Sequence, residues 1–482
     1  MKNLYTILAF LIFGLFFFIN IATLKDGHNW GDDFAQYIHH AVNLVEHKPY
    51  TSDISLDYWI VYPPGFPLLL SSIIYWFGIN FKILKFLNVL LWGLSALVVY
   101  GLALKRLNVM WARVLTVWFL TSPFFFTFKQ EVLSDIPFMC FVLLSIWTFM
   151  KHEEYQDKGS KDLSRVFLFS AIVCMSYSLL IRWAGVSLFL AVAAYLLLVK
   201  RDWKKLSGFI LGAVAACAIA LQCGSLFSGY FYKTASSLQE WFLGIWYNIT
   251  YHFEMIFSFF LPDQNILPKT ANLLTLSLIN IFLGLLLLGI MGLFIYRLYQ
   301  RKVSLMGCFV FFYLMGAVLW PVRGDARYIL PIIIPITIIG ISCLKPVLHK
   351  VVVFIFIILI GLNIFNISSN VKFNDDDIFQ KESLEMMGWV SVHIKPDERY
   401  MFSHSRALGL FTHRVGASFW VHPEDMKTWY KRIKPLHINY LIADKRFDQF
   451  SQYNDFYIKV DNDELHIKVI WENRWYKIFK VY

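Results

Sequence analysis

The apolar stretch LYTILAFLIFGLFFFINIATL at residues 4–24 leads into a polar loop carrying GDDFAQY at residues 31–37 and YPPGFP at residues 62–67. A helix needs about 20 apolar residues to cross a bilayer core, so residues 4–24 predict a transmembrane span. The loop then places two carboxylates and a rigid double-proline corner beside that span. Membrane anchoring alone does not require such a loop, which indicates an active site at the bilayer surface.

The composition of the whole chain is that of a membrane protein. Hydrophobic residues make up 58% of its 482 residues and charged residues only 16%, too apolar for a soluble protein of this length. Windows of spanning length recur over the first three quarters of the chain and predict about eleven transmembrane helices. They lie at residues 4–24, 83–104, 109–128, 136–150, 166–181, 184–199, 206–226, 271–296, 303–320, 329–344 and 351–367.

The basic residues of the short loops set the predicted orientation. With a cytoplasmic N-terminus, the inner loops hold most of the Lys and Arg residues, as the positive-inside rule requires. The apolar segment 66–79 is only about 14 residues long and begins with prolines, so we expect a surface helix within a first outer loop at residues 25–82. We expect the aromatic segment 241–261 to form a pair of outer-surface half-helices.

The charge and the cysteines exclude two further classes of protein. The net charge of +11 arises in the membrane part, since residues 368–482 are nearly balanced, so no nucleic-acid partner is expected. All six cysteines fall in predicted spans, and their spacing predicts neither a disulfide framework nor a metal site.

The sequence changes character after Ser368. We divide the chain into a transmembrane domain at residues 1–370 and a soluble α/β domain at residues 371–482, on the outer face because the number of spans is odd. Periodicity predicts helices at 379–393 and 422–436, strands at 399–403 and 439–443, and a hairpin at 465–470 and 475–481. The aspartate run at 375–377 is typical of a solvated linker.

The chemistry is expected in the outer loops. Asp32, Asp33 and Asp135 each precede a predicted helix, where a carboxylate commonly caps the first backbone N–H groups. Against that interpretation, the three acids share one predicted membrane face with basic and aromatic residues at span ends. These are Arg182, Arg323, Arg327 and Tyr328. Such residues are often interface anchors, but guanidinium groups also bind phosphate, so the set indicates group transfer from a lipid-linked phosphate.

The order of the motifs resembles the GT-C glycosyltransferases. Asp33 stands four residues before Tyr37, Tyr-Pro-Pro-x-x-Pro begins at Tyr62, and Ser-Asp-x-Pro and Arg-Tyr-x-x-Pro occupy residues 134–137 and 327–331. The likeness, over about residues 1–370, is to the branch that includes protein O-mannosyltransferases and the lipid A aminoarabinose transferase. The resemblance implies that a sugar passes from dolichyl or undecaprenyl phosphate to a hydroxyl acceptor on a lipid, glycan or protein at the outer face.

The resemblance also implies roles for residues. Asp33 corresponds to the general base of an inverting transfer, and Asp135 to an acid that orients the acceptor or assists the base; Asp32 is kept as a third catalytic candidate. The candidates for holding the lipid phosphate are Arg182, Arg327, Tyr328, Tyr62 and Arg323. We expect no cofactor and favour no metal, because arginines can neutralise a monophosphate leaving group. A divalent cation bridging Asp33 and Asp135, as in oligosaccharyltransferase-like relatives, is the alternative.

One departure from the family pattern narrows the range of expected donors and acceptors. Aminoarabinose-transferase-like members have an acidic residue and a lysine directly before the double proline, whereas this chain has Val61 and Tyr62. This difference argues against a lipid A acceptor and an aminosugar donor, and leaves protein acceptors open.

Two functions from other classes compete with the transferase. A flippase or transporter for lipid-linked sugars usually carries ionisable residues near the membrane midplane, where the predicted spans have almost none. A membrane protein that only binds glycans would make the first-loop motif incidental.

Overall fold

The computed structural model describes residues 2–56, 61–224, 296–319, 326–370, 377–418, 434–448, 454–460 and 463–482, together with scattered residues between 244 and 294 and residue 452.

The described part of residues 2–370 is helical. Its α-helices are α1 Lys2–Ala22, α2 Asp32–Val45, α3 Gly65–Phe77, α4 Phe81–Arg106, α5 Val109–Leu120, α6 Pro123–Phe128, α7 Asp135–Asp157, α8 Lys161–Ile181, α9 Val186–Ala194, α10 Trp203–Gln222, α11 Leu305–Leu319, α12 Leu330–Ser342 and α13 Pro346–Asn370. Side-chain caps begin three of them: Asn80, Asn108 and Asp202 accept hydrogen bonds from N–H groups in the first turns of α4, α5 and α10.

Five helices in the described residues are long and apolar enough to cross a membrane. They are Phe81–Arg106, Lys161–Ile181, Trp183–Lys200, Trp203–Gln222 and Pro346–Ser368. Several other predicted spans are present as shorter apolar helices, such as Val109–Leu120 and Leu305–Leu319. The predicted span 271–296 and most of segment 241–261 lie outside the described residues, so the number of spans stays a prediction.

Two predicted spans are not continuous α-helices. The span predicted at 109–128 divides into α5 and α6, because Pro123 begins a new helix, where its missing N–H costs nothing. The span predicted at 184–199 consists of a 3-10 turn at Trp183–Gly185, the helix α9, and a π-helical turn at Tyr195–Lys200. Hydrophobicity predicts the length of an apolar segment but not such breaks.

The double-proline corner is held by direct backbone contact. A Cβ on Gly65 would lie 2.6 Å from the backbone carbon of Leu180, so only glycine permits α3 to meet the end of α8. Tyr177 on α8 donates a hydrogen bond to the Gly65 carbonyl at 2.9 Å. The corner therefore has a fixed position beside the end of α8.

Two buried lysines brace the start of the first loop. Lys85 on α4 donates to the carbonyl oxygens of Gly27 and Lys25. Lys129, just after α6, donates to the Asn20 side-chain oxygen at 2.9 Å and to the Thr23 hydroxyl at 2.5 Å. These bonds satisfy polar groups where α1 ends.

The residues after 377 form a small α/β domain. Its strands are β1 Tyr400–Phe402, β2 Gly416–Ser418, β3 Tyr440–Asp444, β4 Asp455–Val460, β5 Asp463–Glu472 and β6 Tyr476–Val481, and its α-helices are α14 Lys381–His393 and α15 Ser405–Thr412. The described strands form one sheet in the order β2-β1-β3-β6-β5-β4. β1 is parallel to both β2 and β3, and β3 to β6 are joined by antiparallel pairs.

The predicted helix at 379–393, both predicted strands and the hairpin correspond to elements of this domain. The sequence patterns missed α15, β2 and β4, which are short or lack clear alternation. The helix predicted at 422–436 lies outside the described residues except for a 3-10 turn at Lys434–Leu436.

This domain packs against the first loop. Leu56 donates a backbone hydrogen bond to the Gly416 carbonyl at 2.8 Å, and Ser55 forms a parallel bridge with the same glycine. Trp30 meets Phe402 edge to face at 5.3 Å. Loop and domain therefore share hydrogen bonds and an aromatic contact.

Candidate functional site

The two aspartates of the first loop lie inside a helix. Helix α2 begins at Asp32, its N-cap is Gly31, and no side chain caps it. The interpretation of Asp33 as an N-cap is therefore wrong. Both carboxylates lie in the first turn, at the positive end of the helix dipole, and the structure shows their partners in other segments.

Asp33 is bonded by groups from three other segments. Its Oδ2 pairs with Nη2 of Arg327 at 2.8 Å. Its Oδ1 accepts a hydrogen bond from the Tyr62 hydroxyl at 2.7 Å and from Nη2 of Arg406 at 3.3 Å. Residues of the first loop, the segment before α12 and the C-terminal domain therefore meet at one carboxylate.

These partners keep Asp33 ionised. Burial alone would raise the pKa of the Asp33 carboxyl, but the charges of Arg327 and Arg406 and the Tyr62 hydrogen bond lower that pKa to about 2. The carboxylate is consequently charged at neutral pH, and its basicity depends on how many cations stay beside it.

Asp32 has a different environment. Its Oδ1 accepts a hydrogen bond from the backbone N–H of Ala407 at 3.3 Å, and its Oδ2 lies 3.6 Å from Nε of Arg406. Helix α15 has no side-chain cap of its own, so Asp32 caps its first turn from a distant part of the chain. Burial raises the pKa of the Asp32 carboxyl to about 6, against the opposing charge of Arg406.

Asp135 forms the second acid and arginine pair. It is the first residue of α7, its N-cap is Ser134, and its Oδ1 bonds Nη1 of Arg182 at the end of α8. The capping interpretation is wrong here as well. The side chain of Asp135 is only 2% exposed, and its Oδ2 is buried without a hydrogen-bond partner among the described residues.

Tyr328 joins the two pairs. Its ring lies 5.0 Å from the Arg182 guanidinium carbon and 5.6 Å from that of Arg327, within cation–π range. The Tyr313 hydroxyl donates to the Tyr328 carbonyl at 2.7 Å and holds this segment against α11. The two arginines are thereby kept side by side.

A second aromatic pair links the two carboxylate regions. Tyr62 stacks on Tyr37 at 4.6 Å, and the Tyr37 hydroxyl lies 2.8 Å from Oγ of Ser134, directly before Asp135. The resemblance marked Tyr62 as a departure, and in the structure its hydroxyl bonds Asp33. The structure thus brings together all the predicted site residues that it describes: Asp32, Asp33, Asp135, Arg182, Arg327, Tyr328 and Tyr62.

One predicted residue is not described and one observed residue was not predicted. Arg323 lies outside the described residues. Arg406 was missed because α15 belongs to the C-terminal domain and carries no motif. The sequence carried no signal for Arg406, because sequence alone does not show which arginines are buried.

The donor set does not assemble a recognisable metal centre. Within the described part of the chain, no three His, Cys, Asp or Glu side chains are grouped so that they could hold a metal ion. The three aspartates contact guanidinium groups instead. Three acids and three arginines lying together can accept a proton and bind a phosphate.

Comparisons with known proteins bear on the family and on the fold of the chain. Residues 3–232 match the family model described as dolichyl-phosphate-mannose-protein mannosyltransferase. No curated protein sequence matches the chain significantly.

Among solved structures, ArnT from Cupriavidus metallidurans is similar, both in the apo state and bound to undecaprenyl phosphate, with a TM-score of 0.59 in each case. The identity to these two structures is 12% and 11%, and each match covers 99% of this chain and 98% of ArnT.

The oligosaccharyltransferase from Archaeoglobus fulgidus, in complex with Zn and sulfate, is similar over 90% of this chain and 68% of its own length, with 12% identity and a TM-score of 0.51. The family match over residues 3–232 and the fold shared with ArnT support the resemblance to the GT-C glycosyltransferases drawn from the sequence.

Proposed function

We propose that the protein transfers a sugar from a polyprenyl-phosphate donor to a hydroxyl acceptor at the outer face of the membrane, with inversion at the anomeric carbon. Asp33 is the general base in this proposal. The residues expected to hold the donor phosphate are Arg327 and Arg182, positioned by Tyr328.

The observation that carries the proposal is the contact between Asp33 and Arg327, with Arg182 beside it on the same tyrosine ring. The proposed base contacts one of the two proposed phosphate-binding arginines, and the second arginine lies against the same tyrosine ring. Transfer between a hydroxyl and a phosphate requires such proximity. The similar protein ArnT has been captured with undecaprenyl phosphate, which supports a polyprenyl-phosphate ligand here.

The reaction is a single displacement. Asp33 takes the proton from the acceptor hydroxyl while the acceptor oxygen forms a bond to the anomeric carbon. The bond between that carbon and the phosphate oxygen breaks, and its electron pair leaves with the polyprenyl phosphate. Because the acceptor attacks opposite the leaving group, the configuration inverts. Arg327 and Arg182 stabilise the charge that develops on the phosphate.

In this proposal, donor binding affects the strength of the base through Arg327. Arg327 is the stronger of the two charges that lower the pKa of Asp33. A phosphate that binds Arg327 weakens this pairing, and the basicity of Asp33 then rises toward the range that suits proton transfer. In this proposal, the donor activates the base as it binds.

Asp135 is the acid that faces the acceptor in this proposal. Its Oδ1 is held by Arg182, whereas its buried Oδ2 can accept a hydrogen bond from the incoming hydroxyl. A buried acceptor without a partner is costly, and an acceptor hydroxyl would relieve that cost.

The test measures transfer whatever the sugar and the acceptor are. Membranes from a deletion strain accumulate the unused donor and the unmodified acceptor, and mass spectrometry of lipids and surface glycans identifies both. Purified protein is then added back. We expect Asp33→Asn to reduce the transfer rate at least about 1,000-fold, because the base is lost and its charge is no longer available.

The matched control is Asp53→Asn, which changes an exposed carboxylate of the same loop that pairs with His39. This variant should transfer at the parental rate. Parental activity of Asp33→Asn would refute the role of Asp33, and a deletion strain with unchanged lipids and glycans would refute the transferase.

A further inference from the structure

A residue of the C-terminal domain enters the proposed active site. Arg406 is the second residue of α15, and it lies 373 residues after Asp33 in the chain. It is only 5% exposed, although arginine is rarely buried unless it is paired. Its burial is explained by the groups of the first loop that surround it.

Arg406 contacts three of those groups. Its Nη2 lies 3.3 Å from Oδ1 of Asp33, its Nη1 donates to the Tyr62 hydroxyl at 3.2 Å, and its Nε lies 3.6 Å from Oδ2 of Asp32. The Tyr62 hydroxyl in turn donates to Asp33. One planar guanidinium therefore orients the carboxylate both directly and through the tyrosine.

The position of Arg406 is set by the packing of α15. Asp32 caps the N–H of Ala407, the next residue. One turn further on, a Cβ on Gly409 would lie 2.9 Å from the carbonyl oxygen of Ile54, so the helix lies directly against the backbone of the first loop. Arg406 is thus held between two fixed contacts.

Arg327 and Arg406 differ in what they can do. The side chain of Arg327 is 18% exposed and lies beside Arg182 and Tyr328, whereas that of Arg406 is 7% exposed and faces the loop. A phosphate can reach Arg327 more readily than Arg406. When Arg327 turns to the phosphate, Arg406 stays behind the carboxylate.

We propose that Arg406 is a positioning residue, by which the C-terminal domain holds Asp33 and Tyr62 in the geometry for proton transfer. This inference rests on the proposed function. It assigns the C-terminal domain a part in the transfer step, since the helix that carries Arg406 belongs to that domain.

The test separates positioning from phosphate binding. Transfer is measured with the deletion-strain membranes, and binding is measured with undecaprenyl phosphate and the full-length protein in nanodiscs. We expect Arg406→Met to lower the transfer rate about 100-fold, because a misplaced base loses most of its effect. Arg406→Lys keeps the positive charge but lacks the planar set of guanidinium N–H groups, so its transfer rate should lie within about tenfold of that of the parent. The dissociation constant of undecaprenyl phosphate should stay within about threefold in both variants.

The control is Arg414→Met. Arg414 donates to the carbonyl oxygens of Ile394 and Ser391 inside the C-terminal domain, so its loss affects that domain without touching the site. Its transfer rate per folded molecule should stay within about threefold of the parent. Gel filtration identifies folded protein, and Arg406→Gln replaces Arg406→Met if the latter does not fold.

Two results would overturn the inference. One is a transfer rate of Arg406→Met equal to that of Arg414→Met. The other is a dissociation constant weakened tenfold or more, which would make Arg406 a phosphate ligand. Failure of the proposed function is distinguishable, because Asp33→Asn would then transfer normally; an inactive Asp33→Asn with a normal Arg406→Met refutes the positioning role alone.

Discussion

Two clusters of buried charge lie at the same end of the helices, and they use their cations differently. The arginine site consists of Asp32, Asp33, Asp135, Arg182, Arg327 and Arg406. The lysine cluster consists of Lys85, Lys129, Glu131 and His28, where α1 ends and α4 begins. In the arginine site the guanidinium groups bond side-chain carboxylates, whereas the two lysines donate to backbone carbonyls and to the Asn20 and Thr23 side chains.

The lysine cluster has the features of a structural element that stabilises the end of α1. Lys85 and Lys129 are 1% and 0% exposed, so no ligand reaches them. His28 accepts a hydrogen bond from the Val132 N–H at its Nε2 and lies with Nδ1 against the Asn29 carbonyl, which defines a neutral ring. Burial lowers the pKa of His28 to about 3, in agreement with that tautomer.

In the arginine site, the carboxylate partner of an arginine is accessible to replacement by a ligand. Its carboxylates and guanidinium groups are partly exposed at Asp33, Arg327 and Arg182, with 28%, 18% and 15% of each side chain accessible. A phosphate can replace a carboxylate as the partner of an arginine because both offer paired oxygens. We therefore expect partner type and exposure, rather than charge alone, to distinguish a ligand-binding site from a structural cluster.

The largest expected effect tests the exchange at Arg327. Arg327→Met should lower the transfer rate about 1,000-fold, because one hydrogen-bonding group that stabilises developing charge contributes about 100- to 1,000-fold to the rate. It should also weaken undecaprenyl phosphate binding about tenfold or more. Both are measured by the membrane transfer assay and by nanodisc binding.

The control for Arg327 is Lys82→Met, which removes a cation that pairs with the exposed Asp26 at the start of α4. It should leave transfer and binding unchanged. Unaltered phosphate binding in Arg327→Met would contradict the exchange and would make the arginine site as structural as the lysine cluster.

An intermediate effect tests the lysine cluster. Lys129→Met keeps the aliphatic chain but removes the donor to Asn20 and Thr23, so the free energy of unfolding should fall by about 2 kcal/mol. Transfer per folded molecule should stay within about threefold. The melting temperature in detergent reports the first quantity and the membrane assay the second.

The contribution of Lys129 to the free energy of unfolding depends on pH with a defined sign. Burial lowers the pKa of Lys129 to about 7, so the folded protein releases this proton before the unfolded chain does. Stability of the parent should therefore rise from about pH 7 toward 10, and Lys129→Met should lack this rise. The exposed Lys48→Met is the control. A loss of transfer without a loss of stability would move Lys129 from the lysine cluster to the site.

The smallest expected effect tests Asp32, a member of the arginine site that also bonds a backbone group, the N–H of Ala407. Its raised pKa of about 6 means that the folded protein binds this proton more tightly than the unfolded chain does. Stability is thus lost as the pH rises from about 4 through 6. Asp32→Asn keeps an acceptor for the Ala407 N–H and removes the buried charge, so we expect a gain of about 1 kcal/mol at about pH 7.5 and none at about pH 4.

Melting temperatures at the two pH values check this prediction, with the exposed Asp26→Asn as the control. We expect Asp32→Asn to transfer within about tenfold of the parent, as suits a residue that caps α15. Destabilisation by Asp32→Asn at about pH 7.5 but not at about pH 4 would contradict this prediction, because it would show that the carboxylate charge, and not only its oxygen, holds the C-terminal domain.

Much of the fold could be predicted because it follows from local composition. The apolar windows correspond to helices over most described spans, and the short segment after the double proline is a helix of 13 residues, Gly65–Phe77. The break at Pro123 was missed because hydrophobicity is the same on both sides of it, although the proline itself marks a helix boundary. The break around Trp183 has no such mark in the sequence. Helix α15 packs against the first loop and β2 pairs with β1, so no local window contains their partners. Strand β4 pairs with β5 directly after it and was missed although its partner is local.

For the candidate site, the sequence likewise showed the residues but not their pairing. Asp33, Asp135, Arg182, Arg327 and Tyr328 stand in motifs at the ends of apolar segments, where the sequence shows both their chemistry and their order. Their pairing could not be seen, because Asp33 bonds Arg327 294 positions away and Asp135 bonds Arg182 47 positions away.

Because hydrophobicity and motif order are local properties, the amino-acid sequence alone predicts a membrane protein with a carboxylate loop and with arginines at the ends of apolar segments. The three-dimensional structure is needed to show that Asp33 is held between Arg327 and Arg406, and that Asp32 caps a helix of the C-terminal domain. The physical reason is that charge, pKa and hydrogen bonding depend on distances between segments, and folding alone sets those distances.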